Sequence, residues 1–180
     1  MKSILEPRGI AVIGASSSRG KIGHEILRNI VEGKFTGEVY PVNPHEEVIL
    51  GLKAYPSIVD IPGVVDVCII TVRPDMVPQV LLECGRKNVR GAVIITAGFS
   101  EIGNHELEKQ VMESASMSQI RVIGPNCAGF INTQLNLYAS IESRIAAGSV
   151  ALITQSGAFG GAALAWARQE QIGFSKFVSY

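Results

Sequence analysis

The stretch AVIGASSSRGKIGHEIL, residues 11–27, passes from a short apolar run through a glycine-bearing loop into a helical pattern. Its glycines are Gly14, Gly20 and Gly23. A dinucleotide-binding turn requires G-x-G-x-x-G, and here the first two glycines lie six positions apart. A Walker A loop requires G-x-x-x-x-G-K-[ST]. Gly14 to Gly20 is one residue too long for it, and Ile22 stands where the magnesium-binding hydroxyl belongs. The place between strand and helix still favours an anion, because free N–H groups and the helix dipole converge there. Ser16, Ser17 and Ser18 add hydroxyls and Arg19 adds a guanidinium, an inventory suited to phosphate or pyrophosphate. The competing reading is an ordinary glycine turn with a solvated serine loop.

Working outward, GIAVIG (9–14) is a strand, and Ile22, Ile26 and Ile30 form one helix face, widened by Leu27 and Val31. EVYPV (38–42) is a second strand, whose Pro41 marks an irregular end or a sheet edge. VVDVCIITV (64–72), GAVIIT (91–96) and IRVIG (120–124) are three more. Helices over about 76–88 and 105–117 separate them, the latter with Asn104 as its N-cap. This alternation predicts an α/β fold: a Rossmann-like, doubly wound parallel sheet with right-handed crossovers. A charged content of only 18% suits a sheet covered on both faces.

Past Gly124 the character changes, and residues 122–180 hold only Glu142, Arg144, Arg168, Glu170 and Lys176 as charged side chains. The expected organisation is a first domain over 1–124, an irregular crossing segment over 125–148, and a β-α-β unit over 149–180. That unit comprises SVALIT (149–154), a helix from about Ala158 to Gln171 and the strand FSKFVSY (174–180). Two parallel strands and one helix bury too little surface to stand alone. The chain is therefore expected to stop inside a second, flavodoxin-like α/β domain. Residues 146–167 carry no charge, but their four glycines, Ser149, Gln155 and Ser156 argue for strand, turn and buried helix over a membrane span.

Sixteen basic and sixteen acidic side chains balance, which leaves no electrostatic footprint for nucleic acid or an anionic membrane. Cys68, Cys84 and Cys127 form no C-x-x-C pair, and no apolar N-terminal run resembles a signal peptide, so a cytoplasmic location is expected. His24, His45 and His105 lack metal spacing and read as solvated or capping residues; no metal site is predicted.

Ligands of open parallel sheets bind beyond the strands' carboxyl ends. Those ends read GASSSRG, NPHEE, TVRPD, TAGFSE and GPNCAG. At the second, Asn43 and Pro44 stand where a nicotinamide dinucleotide site places an acid, with Glu46 and Glu47 displaced into the loop, so NAD(P) is disfavoured. Cys127, among Gly124, Pro125, Asn126 and Gly129, is either reactive or a lining residue. A second phosphate-loop candidate is ITQSGAFGG, where Ser156 and Gly157 open an Ala/Gly-rich helix; a plain strand-helix turn explains it equally well.

Taken in order, GASSSRGKIG, YPVNP, TVRP, VIITAGFSE, GPNCAGFIN and ALITQSGAFGGA resemble the α-subunit of nucleoside-diphosphate-forming acyl-CoA synthetases. That superfamily includes succinyl-CoA synthetase and the ADP-forming acetate–CoA ligases, and YPVNP leans toward the latter. The resemblance covers the whole chain and implies that the first domain binds coenzyme A. Gly14, Ser16, Ser17, Ser18, Arg19 and Gly20 then match the loop around the phosphates, and Asn43 with Pro44 the second-strand contact. Val72, Arg73, Pro74, Ile95, Thr96 and Ala97 match the adenine and pantetheine walls. Asn126 and Cys127 match the loop near the thiol, and Ser156 and Gly157 the cradle for a phosphohistidine.

The reaction so implied converts acyl-CoA, ADP and phosphate to acid, CoA and ATP through an acyl phosphate and a phosphohistidine. The three histidines do not match the catalytic one, and no ATP-grasp nucleotide module is present to bring ATP/ADP and Mg. The chain alone is therefore expected to be inactive, with an ATP-grasp partner, the rest of the second domain and an oligomer implied. The alternatives are a CoA-binding regulatory module of a protein acyltransferase, or a stand-alone CoA-binding protein.

Overall fold

The computed structural model describes residues 2–180. After a short helix α1 (Lys2–Leu5), strand β1 (Gly9–Ile13), helix α2 (Ile22–Gly33) and strand β2 (Glu38–Val42) make the first β-α-β unit. A small antiparallel ribbon, β3 (Val48–Ile49) and β4 (Leu52–Lys53), follows; the sequence pattern did not predict it. Then come β5 (Val67–Ile70), α3 (Val77–Arg86), β6 (Gly91–Ile94), α4 (His105–Met117) and β7 (Arg121–Ile123). These elements lie where periodicity and capping place them. The third strand, however, is shorter than the apolar run that announced it.

The five strands pair in parallel in the order β2-β1-β5-β6-β7. Pro41 sits on the edge strand, where its missing N–H costs no ladder bond. Alternation splits the apolar side chains between two faces. Ala11, Ile13, Cys68, Ile70, Ala92 and Ile94 face Val77, Leu81 and Cys84 of α3 and Val111 and Ala115 of α4. Ile10, Val12, Val67, Ile69, Val93 and Ile95 share the opposite core with Ile26, Leu27 and Ile30 of α2. Arg8 ties the sheet's lower end by donating from its main chain and guanidinium to Asp66.

The segment 125–148 corrects the expectation of an irregular crossing. It carries β8 (Gly129–Asn132) and β9 (Leu137–Ser140), an antiparallel pair whose eight residues are all buried. Phe130, Leu137 and Ala139 enter the α2-side core of the first sheet, while Ile131 and Tyr138 join the core beneath the last helix. Both faces of the hairpin are thus used. Its polar side chains are spoken for: Asn132 donates to the Leu5 carbonyl and Ser140 to the Ala128 carbonyl. Asn29 of α2 reaches across to the carbonyls of Ser140 and Glu142.

Strand β10 (Ala147–Thr154), helix α5 (Gly157–Gln169) and strand β11 (Phe174–Ser179) complete the described chain. β10 and β11 are parallel, as predicted, but β11 also pairs antiparallel with β8, giving a mixed sheet ordered β10-β11-β8-β9. α5 packs Leu164 and Ala167 on Phe174 and Phe177. β10 is the outer strand, with Val150 and Ile153 exposed, and Phe159 and Trp166 of α5 are exposed beside it. No helix among the described residues is long and apolar enough to cross a membrane.

Candidate functional site

Counted by position in the chain, the first sheet's strands are ordered 2-1-3-4-5, so the connection leaving β1 runs to one side, toward β2, and the one leaving β5 to the other, toward β6. A crevice opens at such a switch point, here between the carboxyl ends of β1 and β5. The strand-end loops are stitched one to the next. Gly14 donates its N–H to the Val42 carbonyl at 3.0 Å, and Thr71 donates from both N–H and hydroxyl to the Ile13 carbonyl, at 2.9 and 3.0 Å. Thr96 donates its hydroxyl to the Val72 carbonyl at 2.7 Å, and Asn126 its N–H to the Thr96 carbonyl at 3.0 Å. One continuous ledge results, running from β2 to β7.

The glycine loop is shaped by two glycines that nothing larger replaces. Gly14 has φ +89°, and a Cβ there would press on Thr71. A Cβ on Gly23 would collide with the Gly14 carbonyl, so its absence lets α2 start directly against the end of β1. Ser16 is buried, while Ser17, Ser18, Arg19 and Gly20 are exposed. Ser18 donates its N–H to the Ser16 hydroxyl. Arg19 makes no hydrogen bond or ion pair among the described residues.

Two residues of this loop's surroundings differ from expectation. His24 is neither solvated nor a cap: it is 4% exposed, with Nδ1 2.9 Å from the Ser16 carbonyl, and so clamps the loop from beneath. Glu46, displaced in sequence, returns in space. The Asn43 side chain accepts from the His45 N–H and donates to the Ala15 carbonyl, which folds the NPHEE loop back. The Glu46 carboxylate then accepts from the Ser17 N–H at 3.2 and 3.1 Å, from the Ser16 hydroxyl at 3.4 Å and from Asn43 Nδ2 at 3.3 Å. The hydrogen bonds from Ser17, above all, hold its carboxyl below the usual carboxylate range. An acid three residues past an Asx-turn asparagine was the signal available in the sequence.

Elsewhere along the ledge, Asn43 and Pro44 follow β2, and Val72, Arg73 and Pro74 follow β5, with Arg73 paired to Asp75 at 3.0 Å in solvent. Ile95, Thr96 and Ala97 follow β6; Ile95 and Thr96 are buried and Ala97 faces out. Asn126 is exposed with φ +53°. Cys127 lies beneath the ledge, 5% exposed, its Sγ 3.4 Å from the Ile94 carbonyl, and burial pushes the thiol up to about 11. That environment removes the reactive reading, because the thiolate is the nucleophile and is scarce at neutral pH.

Ser156 and Gly157 stand apart from this ledge, after β10 in the other sheet. Ser156 is the N-cap of α5, its hydroxyl accepting from the Phe159 N–H at 3.2 Å. Glu142, whose carboxyl burial pushes up, lies beside Gly161 one turn further along. The structure therefore brings the predicted residues of the first domain to one edge, with Cys127 as its floor, and leaves the second loop as a separate helix start.

Known proteins share this chain's sequence and fold. The family described as CoA binding domain matches residues 8–133, and the one described as Succinyl-CoA ligase like flavodoxin domain matches residues 147–180. The chain is 50% identical over 175 residues to the ADP-forming acetate–CoA ligase II subunit alpha of Pyrococcus furiosus, covering 96% of this chain and 38% of that protein. It is 47% identical to the ADP-forming acetate–CoA ligase of Methanocaldococcus jannaschii, covering 99% of this chain and 25% of that protein. Among solved structures, the dinucleotide-forming acetyl-coenzyme A synthetase 1 of Ca. Korarchaeum cryptofilum, in complex with phosphate and ADP, superposes with TM-score 0.96 at 42% identity, over 99% of this chain and 39% of that one. The chain thus spans between 25% and 39% of the length of these relatives. Matched over most of its length, the chain belongs to the family of CoA-binding domains and runs on into a succinyl-CoA ligase-like flavodoxin domain.

Proposed function

We propose that this chain is the CoA-binding portion of an ADP-forming acyl-CoA synthetase, and that the ledge at the carboxyl edge of the parallel sheet is its CoA seat. The observation that carries the reading is the glycine loop itself. It is too long for a dinucleotide turn, is clamped by His24, and already holds an anionic group on the Ser17 N–H. A donor set that seats a carboxylate is chemically fitted to a phosphate oxygen, and Arg19 stands exposed beside it to add a charge-assisted contact. Val72 to Pro74 and Ile95 to Ala97 would line the adenine and pantetheine, and Asn126 the approach to the thiol.

In this reading CoA is a substrate. The chain's own residues bind and orient it, while the phosphorylatable histidine and an ATP-grasp module that holds ATP/ADP and Mg act from elsewhere in the enzyme. His24 cannot serve as that histidine while it is buried under the loop. The Ser156 helix start would receive the phosphoryl group, since free N–H groups at a helix N-terminus favour it. The exposed β10 edge with Phe159 and Trp166 is where further parts of the second domain, or the nucleotide-binding partner, would pack in a cytoplasmic, oligomeric enzyme.

Calorimetric titration of the chain with CoA, NAD and NADP tests this. CoA should bind most tightly; tighter binding of either dinucleotide would reject the proposal. Supplied with ATP, acetate and CoA, the chain alone should form neither phosphohistidine nor acyl-CoA.

A further inference from the structure

We propose that Glu46 is a built-in anion that occupies the phosphate seat of the glycine loop and must leave it before a ligand's phosphate can bind. The inference rests on the CoA reading above and deepens it. The carboxylate's partners are the Ser17 N–H, the Ser16 hydroxyl and the Asn43 amide, the kind of donors a phosphate oxygen uses. Among the described residues Glu46 forms no ion pair; Lys21 favours its charge from a distance, but the groups in direct contact with the carboxylate are neutral donors. The contact joins segments 29 residues apart, unlike Glu101, which satisfies the Gly98 and Phe99 N–H groups inside its own turn.

Two anions cannot share one N–H donor. At roughly 4 Å, like charges at a protein surface repel strongly enough to exclude joint occupancy. Leaving is easy. Glu46 is flanked by exposed His45 and Glu47, and rotation of its side chain would carry the carboxylate into water, giving up the Asn43 Nδ2 contact while the Asn43 bonds to His45 and Ala15 remain. Glu46 therefore has two effects on binding. It keeps the Ser17 N–H satisfied and the loop ordered while empty, and it lowers apparent affinity by the fraction of time the seat is closed.

The experiment titrates the chain, its Glu46→Gln variant and its Glu46→Ala variant with CoA and, separately, with inorganic pyrophosphate, and records the ligand-free melting temperature of each. Both variants should bind both ligands roughly 3–10-fold more tightly, the gain expected when a seat that is mostly closed is opened. Their ligand-free melting temperature should stay equal or fall. Loss of a brace alone would loosen the loop and so weaken binding rather than tighten it. Unchanged or weaker CoA binding in both variants overturns the proposal and makes Glu46 a loop brace or a direct ligand contact. If CoA binds none of the three proteins but pyrophosphate gains in the variants, displacement stands and the CoA reading fails. If pyrophosphate shows no gain either, both fall. Glu46→Asp, which keeps the charge on a shorter arm, should lie between the parent and Glu46→Gln.

Discussion

The five-stranded sheet and the four-stranded sheet meet solvent in opposite ways. Every residue of β1, β5 and β6 is buried, whereas of the eight residues of β10 only Thr154 is. In the first sheet both faces are sealed by helices and by the β8–β9 hairpin, and each strand end is bonded to its neighbour. Its polar residues can therefore be held in fixed register along the ledge. In the second, an outer strand offers unpaired backbone groups and apolar side chains, the condition in which sheets accept another element. A ligand seat calls for the first arrangement and an assembly surface for the second.

The hairpin is where the two regions depend on each other, and removing its anchor is the severest way to break the contrast. Phe130 is fully buried against α2. Phe130→Ala should cost about 3–5 kcal/mol, the usual range for a large core truncation, read as a lowered urea midpoint. A loss under about 1 kcal/mol would mean that the two sheets are held together elsewhere.

The second test leaves the fold alone and asks whether the ledge is a seat. Arg19→Ala should weaken CoA by about 1.5–3 kcal/mol with the melting temperature nearly unchanged. Unaltered affinity would make Arg19 a solvated loop residue.

A smaller effect is expected from the ion pair at the other end of the sheet. The hydrogen bonds from Arg8, chiefly those of its side chain, hold the Asp66 carboxyl below its ordinary value, so the folded state binds the proton less readily than the unfolded one. The stabilisation is complete above the unfolded carboxyl value of about 3.9 and is lost as pH falls through the folded one. Asp66→Asn should therefore flatten the acid side of the stability profile and leave its slope near neutrality alone. Since Arg8 lies in water, the effect should be the smaller for it. An unchanged acid limb would show that the pair contributes nothing. Least of all, Ile153→Ala on exposed β10 should change stability by under about 0.5 kcal/mol; a large loss would show that β10 is covered in solution.

The strands and helices of the first sheet were legible because their apolar residues repeat at the periods that burial on two faces demands. The hairpin was not. Gly129–Ser140 mixes Asn, Thr, Gln and Ser with apolar residues, and local pattern reads such composition as loop. What stabilises it is non-local, namely the bond from Asn132 to Leu5 and the packing of Phe130 on α2. The ledge residues could be named from their places at strand ends, but their relations could not. In the sequence His24 reads as a surface residue, because a single histidine in a first helical turn shows nothing of the loop folded over it. Glu46 sits three residues beyond the strand-end position in sequence, and only the Asn43 turn returns it to Ser17.

The central claim is that the stitched ledge, and not the β10–α5 turn, receives the ligand's phosphates. Amide NMR of the chain during a CoA titration tests it most directly. The account predicts the largest shifts at Gly14 to Gly20, Glu46, Thr71 to Arg73 and Thr96 to Ala97, saturating together. Shifts confined to Ser156 to Phe159, with the glycine loop silent, would contradict it.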